Sequence, residues 1–294
     1  MKLCRLPKAV LRPFVSQIWT TDEAQHTSPS AQRELVLPTT AAMHIVIRLD
    51  GRPLRLFTGP EDPSGHVVGT SVLGGVRTAA YCKDSSAPAS MVGVMLRPGV
   101  VDPLSHTPAS ALAERHTLLE DVWAHSDLSE LRERLEAAPT PADHLLILED
   151  MLSRRLPIAQ GINPLIAQSL LRFDHGVSVG DVVVESGFSH RHLTRTFKTT
   201  VGLSPKTYCR LQRFNCALNH LHSVPNVTLT DISTANGYAD QAHMTREFRA
   251  IAGVAPGHYK RISPASTRHV PIASEQAHSK VKFIQDTVTR RQLD

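Results

Sequence analysis

The sequence predicts two differently built halves. The front, residues 1–157, is α+β, a small antiparallel sheet or barrel plus helices. The back, residues 158–262, is all-α and made of two helix-turn-helix units. Three observations carry this reading. Across 35–98 apolar residues alternate with polar ones, the period of a half-buried strand. From Ser105 onward the apolar spacing lengthens to that of a helix. The stretch 178–261 is one unit written twice. Val179, Asp181, Val182, Gly187 and Phe188 recur 50 residues on as Leu229, Asp231, Ile232, Gly237 and Tyr238. Arg195, Phe197, Lys198, Gly202, Pro205 and Tyr208 recur 51 residues on as Arg246, Phe248, Arg249, Gly253, Pro256 and Tyr259. One extra residue therefore lies in the second copy, between Tyr238 and Arg246.

In the front half, Met43, Ile45, Ile47 and Leu49 alternate with His44, Val46, Arg48 and Asp50 until Gly51 turns the chain. Leu54 and Leu56 continue the pattern to Gly59 and Pro60, and 91–96 form a further strand closed by Pro98 and Gly99. The Gly-rich stretch 67–80 fits neither period, and 110–116 is a short helix at best. Asp127 with Glu130 resembles a capping pair for a helix over 128–138, with Leu128, Leu131 and Leu135 on one face. Thr140 caps the next helix, with Pro141 at its first position. Residues 157–162 read as a hinge. The back half opens on Asn163 and Pro164, again a cap followed by proline.

Each copy then repeats one design. Ser178 with Asp181, and Thr228 with Asp231, cap a first helix. Gly187 and Gly237 supply the tight turn, where positive φ is needed. Phe188 and Tyr238 follow and are expected to pack inward. The units span about 178–199 and 228–250, with second helices over 189–198 and 240–249. Between them Ser204 and Pro205 begin a helix running to about Leu221. A helix of roughly 15 residues is about 22 Å long, which places the units near one DNA turn apart, about 34 Å. Residues 263–294 are polar, rich in Ser, Pro and His, and read as a flexible tail.

Charge divides along the same line. Residues 1–163 carry 16 basic against 18 acidic side chains, residues 164–261 carry 11 against 6, and the tail 5 against 3. The excess positive charge sits on the duplicated segment and the tail, as it does where a protein meets a polyanion. A second helix entering a major groove needs an apolar inner side and an outer side of donors for base edges and phosphates. Leu193, Phe197, Met244 and Phe248 supply the inner side. His190, Arg191, Thr194, Arg195 and Lys198 supply the outer side of the first copy, and Gln241, His243, Thr245, Arg246 and Arg249 that of the second.

The run from Gly187, Phe188 and Ser189 through 192–198 to Gly202, Leu203, Ser204 and Pro205 resembles the first half of the AraC/XylS family DNA-binding domain. Residues 237–243, then 245–249 and 253–256, resemble its second half, so the likeness covers about 160–262. It implies seven helices, two helix-turn-helix units on one DNA face, and transcription regulation. Carried over, its base-contacting positions fall on Arg191, Thr194 and Arg195, and on Gln241, Ala242, His243 and Arg246, with Lys198 and Arg249 beside them. Arg191 stands where relatives can carry other residue types, so the operator sequence is not transferable. The strand 43–49, residues 57–60, 94–99 and 119–123 resemble the N-terminal domain of a subset of AraC-like regulators. That likeness implies a module that senses a small-molecule effector or mediates homodimer formation. The implied partners are double-stranded promoter DNA and RNA polymerase.

Other functions find less support in the residues. Cys216, His220 and His222 come closest to a metal cluster, but a zinc site needs about four ligands, and no metal or cofactor is expected. Cys4 is similar to the methyl-accepting cysteine of AraC-like repair regulators, without an accompanying cysteine cluster in residues 1–100. No phosphate-binding glycine loop and no Gly-x-Ser-x-Gly elbow is present, so no enzyme activity is expected. A nonspecific architectural binder would carry mainly Lys and Arg on its rods. Trp19, His44, Arg48 and Arg97 are front-half candidates for a pocket or for scattered surface and core. No apolar run approaches the roughly 20 residues of a membrane helix, and the four cysteines lack paired short spacing, which fits a cytoplasmic protein.

Overall fold

The structure, a computed structural model, describes residues 2–22, 33–59, 62–87, 89–156, 161–224 and 226–272. Two antiparallel sheets build the front half. In the first, the strand order is β1 (Lys2–Arg5), β2 (Val15–Thr21), β9 (Met91–Leu96), β4 (Met43–Arg48), β7 (Ser71–Gly74) and β10 (His116–Leu118). In the second it is β11 (His269–Ile272), β3 (Arg33–Val36), β8 (Tyr81–Asp84), β5 (Leu54–Phe57) and β6 (His66–Gly69).

Strand β4 shows how the alternation is used. Its partners across the ladder set Ile45 beside Val94 and Leu73, and His44 beside Met95 and Gly74. Successive side chains leave opposite faces of a strand. Met43, Ile45 and Ile47 are therefore buried on one face, while His44, Val46 and Arg48 are half-buried on the other. Two helices complete this half, α3 (His125–Glu136) and α4 (Pro141–Arg155), and α4 packs on β2 and β9. The Glu149 carboxylate on α4 is fully buried and accepts Arg5 Nη1 at 2.9 Å, Arg5 Nη2 at 3.0 Å and the Lys8 amide at 2.7 Å. Burial alone would raise its pKa, but these donors hold it below the usual carboxylate range. The pair ties the first strand to the helical layer.

Two short helices, α1 (Val101–Ser105) and α2 (Ala109–Leu112), lead toward the helical part. That part comprises α5 (Pro164–Asp174), α6 (Val179–Ser186), α7 (His190–Val201), α8 (Pro205–Ser223), α9 (Leu229–Ala235), α10 (Gln241–Ala252) and α11 (Pro256–Ile262). The caps expected at Thr140, Asn163 and Ser204 form, each accepting a backbone N–H of its helix's first turn.

Several expectations need correction. The ambiguous 67–80 stretch holds parts of β6 and all of β7. The segment 110–116 ends helix α2 and then pairs with β7 as β10. Helix α3 starts earlier than expected, and its N-cap Ala124 makes no side-chain cap bond. Asp127 instead pairs with Arg155, and Glu130 with Arg134 and Arg154.

The tail is the largest correction. Residues 269–272 are not loose: β11 pairs antiparallel with β3, setting Val270 against Leu35. Val270 is 1% exposed, and Arg268 donates to the Pro38 carbonyl at 2.9 Å and to Asn215 on α8. Burying that one valine and completing the ladder fixes a segment whose composition reads as disordered. Residues 273–294, Pro60, Pro225 and most of the expected hinge lie outside the described residues.

Candidate nucleic-acid interface

Each helix-turn-helix unit is set by local chemistry. Ser178 Oγ accepts the Asp181 amide at 3.2 Å, and Thr228 Oγ1 that of Asp231 at 3.1 Å, where the Asp231 carboxylate completes a capping box. Gly187 and Gly237 take φ of +69° and +68° with open space around them, so backbone conformation and not crowding selects glycine. The second helices are capped in turn: Ser189 Oγ accepts the His192 amide at 3.2 Å, and Asp240 Oδ1 that of His243 at 2.6 Å. They run a turn further than expected, to Val201 and Ala252.

The inner faces are as expected. Leu193, Phe197, Met244 and Phe248 are fully buried. Phe197 packs edge-on against Phe173 and Tyr208, both at 5.6 Å, and Phe248 lies 5.0 Å from Phe214 and 6.0 Å from Tyr259. These contacts fix the rotation of each helix about its axis.

That rotation leaves Arg191, Arg195 and Lys198 exposed on α7, with Thr194 half-buried among them. On α10 it leaves Gln241, Ala242, Arg246 and Arg249 exposed and His243 half-buried. Among the described residues none of the five cations in this set makes a side-chain hydrogen bond or ion pair. Other members are engaged. Gln241 Oε1 accepts Thr230 Oγ1 at 2.9 Å, and His243 lies 4.0 Å from Glu247. The expected inward packing holds for Tyr238, 6% exposed, but not for Phe188, which is 48% exposed. Phe188 stacks on His192 at 4.8 Å instead. His192 was not singled out from the sequence; the spacing of four between an aromatic and a histidine at a helix start is the signal for it.

The histidines near Cys216 have other work. His220 Nδ1 lies 3.0 Å from Asn236 Nδ2, and His222 Nδ1 3.4 Å from the Tyr259 hydroxyl. In the front half, Trp19 lies over Gly93, where a Cβ would come within 2.3 Å of the indole. Arg48 pairs with Asp50, and exposed Arg97 donates to the Arg12 carbonyl at 2.7 Å. His44 shares its strand face with Arg48, and its ring lies 5.9 Å from that of His116.

Residues 182–262 match a family described as a helix-turn-helix domain. A Streptomyces lividans protein described as AraC-like is 27% identical over 175 residues, 54% of this chain and 56% of that protein. Residues 182–262 form an AraC-type helix-turn-helix domain. The F1 operon positive regulatory protein of Yersinia pestis is 36% identical over 86 residues, 29% of this chain and 28% of the relative. The transcriptional activator AarP of Providencia stuartii is 29% identical over 84 residues, 29% of this chain and 62% of the relative. The chain thus spans less than two thirds of the length of each of these curated relatives. Ahead of the AraC-type domain, residues 5–118 match a domain of unknown function (DUF6597). Apo ToxT from Vibrio cholerae, a solved structure, aligns over 88% of this chain and all of that one at 12% identity and a TM-score of 0.44. No helix among the described residues is long and apolar enough to cross a membrane.

Proposed function

We propose that this chain is a sequence-specific transcription regulator that acts in the cytoplasm and binds double-stranded promoter DNA through α7 and α10. In this reading Arg191, Thr194, Arg195 and Lys198 meet one stretch of major groove, and Gln241, Ala242, His243, Arg246 and Arg249 the next. Arginine grips guanine with two hydrogen bonds, glutamine does the same with adenine, and Lys198 and Arg249 suit phosphates. The observation that carries the reading is the pair of outer helix faces whose arginines and lysine have no partner among the described residues. The names of the relatives, a positive regulatory protein and an activator, support activation through contact with RNA polymerase. The front half, 1–157, would sense a small-molecule effector or pair two copies, and the AraC-type domain would occupy 158–262. Two units in one chain can also read a full site without dimerising. The regulator is read as a non-enzyme.

The test is a mobility-shift series on the promoter DNA beside its own gene. Expected is a sequence preference that survives moderate salt and an affinity that falls steeply as salt rises, because bound phosphates release counterions. Equal binding to promoter and scrambled DNA would remove the sequence-specific reading.

A further inference from the structure

The space between the two sheets holds polar groups that DNA binding leaves unused. His44 on β4 and Tyr81 on β8 come from different sheets, and both are largely withdrawn from water. Burial pushes the His44 ring down to about 4 and drives the Tyr81 phenol up. Both nevertheless keep accessible surface, and among the described residues neither side chain makes a hydrogen bond. Polar atoms this deep are ordinarily paired. Polar side chains that keep some surface and lack partners leave their donors and acceptors open to a ligand.

Arg77, on the loop between β7 and β8, reaches the same place. Its Nη2 lies 2.7 Å from His116 Nδ1, its guanidinium lies 5.0 Å from the Tyr81 ring centre, and its Nε is buried without a partner. His116 Nε2 is likewise buried without a partner, and its ring packs 4.7 Å from Tyr81 and 5.9 Å from His44. No carboxylate pairs with Arg77 among the described residues. Glu114 is engaged by the Thr78 amide at 2.8 Å and hydroxyl at 2.7 Å. Glu34 is held by Lys83 at 2.7 Å and by His269 at 2.9 Å. The largely buried Arg77 guanidinium thus feels Glu114 without forming an ion pair with it, and its planar fork fits a carboxylate with two parallel bonds. A phenol and two neutral imidazoles add further donors.

We propose that the space framed by His44, Arg77, Tyr81 and His116 is a binding site for a small organic acid, whose carboxylate is taken by Arg77 and whose apolar remainder lies along Val46 and Leu118. Val46 shares a strand face with His44, and Leu118 shares one with His116.

The position of Arg77 gives the site a consequence. Val76 Cγ1 lies 2.7 Å from where a Cβ of Gly202 would be, at the C-cap of α7. The Ala80 amide donates to the Ile251 carbonyl, in the last turn of α10, at 2.7 Å. The loop thus touches the ends of both recognition helices while its arginine reaches His116 and Tyr81. An acid that shifts Arg77 shifts the seat shared by α7 and α10. This consequence rests on the regulator reading; the binding site itself does not.

The test uses the full chain with labelled histidine rings, titrated with acetate, benzoate and succinate, with inorganic phosphate and benzylamine alongside. Expected are saturable shifts of the His44 and His116 ring signals with at least one carboxylate and none with benzylamine. Arg77→Met weakens binding by roughly tenfold or more, the loss of a hydrogen bond to a charged group, and Arg77→Lys lies between. Should Arg77→Met not fold, the Arg77→Lys titration decides. A response to phosphate alone, no response to any acid, or unchanged binding in the arginine variants overturns the proposal. Mobility shifts on the same preparation separate the two readings: acid binding without DNA binding sinks the regulator reading alone.

Discussion

Unit one and unit two of the AraC-type domain share caps, turn glycines and a buried aromatic, yet they are held differently. In unit two Tyr238 is buried beneath Arg213 of α8, 4.8 Å from ring centre to guanidinium. Arg213 and Arg210 both reach Glu247 on α10, at 3.1 and 3.3 Å. An aromatic, a cation and a carboxylate thus join turn, long helix and recognition helix. In unit one the matching positions are Phe188 and Thr196. Phe188 lies half in solvent against His192, and Thr196 makes no side-chain hydrogen bond among the described residues. Duplicated backbones do not imply duplicated fastenings. The first unit keeps an open aromatic at its turn; the second is clamped to α8.

The shared part of the design should answer equally in both units. Phe197→Ala and Phe248→Ala each empty a fully buried ring position, and each should lower stability by about 3–5 kcal/mol in denaturant titrations. A large inequality between them would show that the two cores are not equivalent. The clamp should answer in one unit only. Glu247→Gln leaves Arg210 and Arg213 facing a neutral amide and should cost about 1–3 kcal/mol, with faster amide exchange confined to α9 and α10. Thr196→Val, its counterpart, should stay within about 0.5 kcal/mol. Arg195→Ala and Arg246→Ala should each weaken binding to the cognate DNA by about 1–3 kcal/mol and relax base preference at one position, with the melting temperature unchanged. If only one of the two matters in mobility shifts, the units do not read DNA alike. The smallest effect belongs to Phe188→Ser, expected within about 0.5 kcal/mol of wild-type stability; a larger loss would mean that the exposed ring is structural after all.

The parts of this molecule that were legible in the sequence are those with local causes. Ser178, Thr228, Ser189 and Asp240 cap helices because a side chain two or three residues away is within reach of an amide, and the two turn glycines need only their own φ. The outer faces of α7 and α10 follow from helical spacing once Phe197 and Phe248 are placed inside. What distance along the chain conceals was missed. Phe188 and Tyr238 stand at equivalent positions, and only the partner on α8 decides which is covered. His44, Arg77, Tyr81 and His116 meet because strand order brings four separate segments together, and no spacing announces it. Strand β11 lies in a polar stretch of the chain and owes its order to β3, more than 230 residues earlier.

The return of the chain to β3 has a practical outcome for anyone dividing this protein. Strand β11 occupies the outer edge of the second sheet, so the last described residues belong to the first fold unit, not to the one they follow. Stopping expression after α11 would strip β3 of its neighbour and leave a row of unmatched amides and carbonyls, a template for sticking to other molecules. A front fragment made alone would then be expected to precipitate unless residues 269–272 were supplied as a separate peptide.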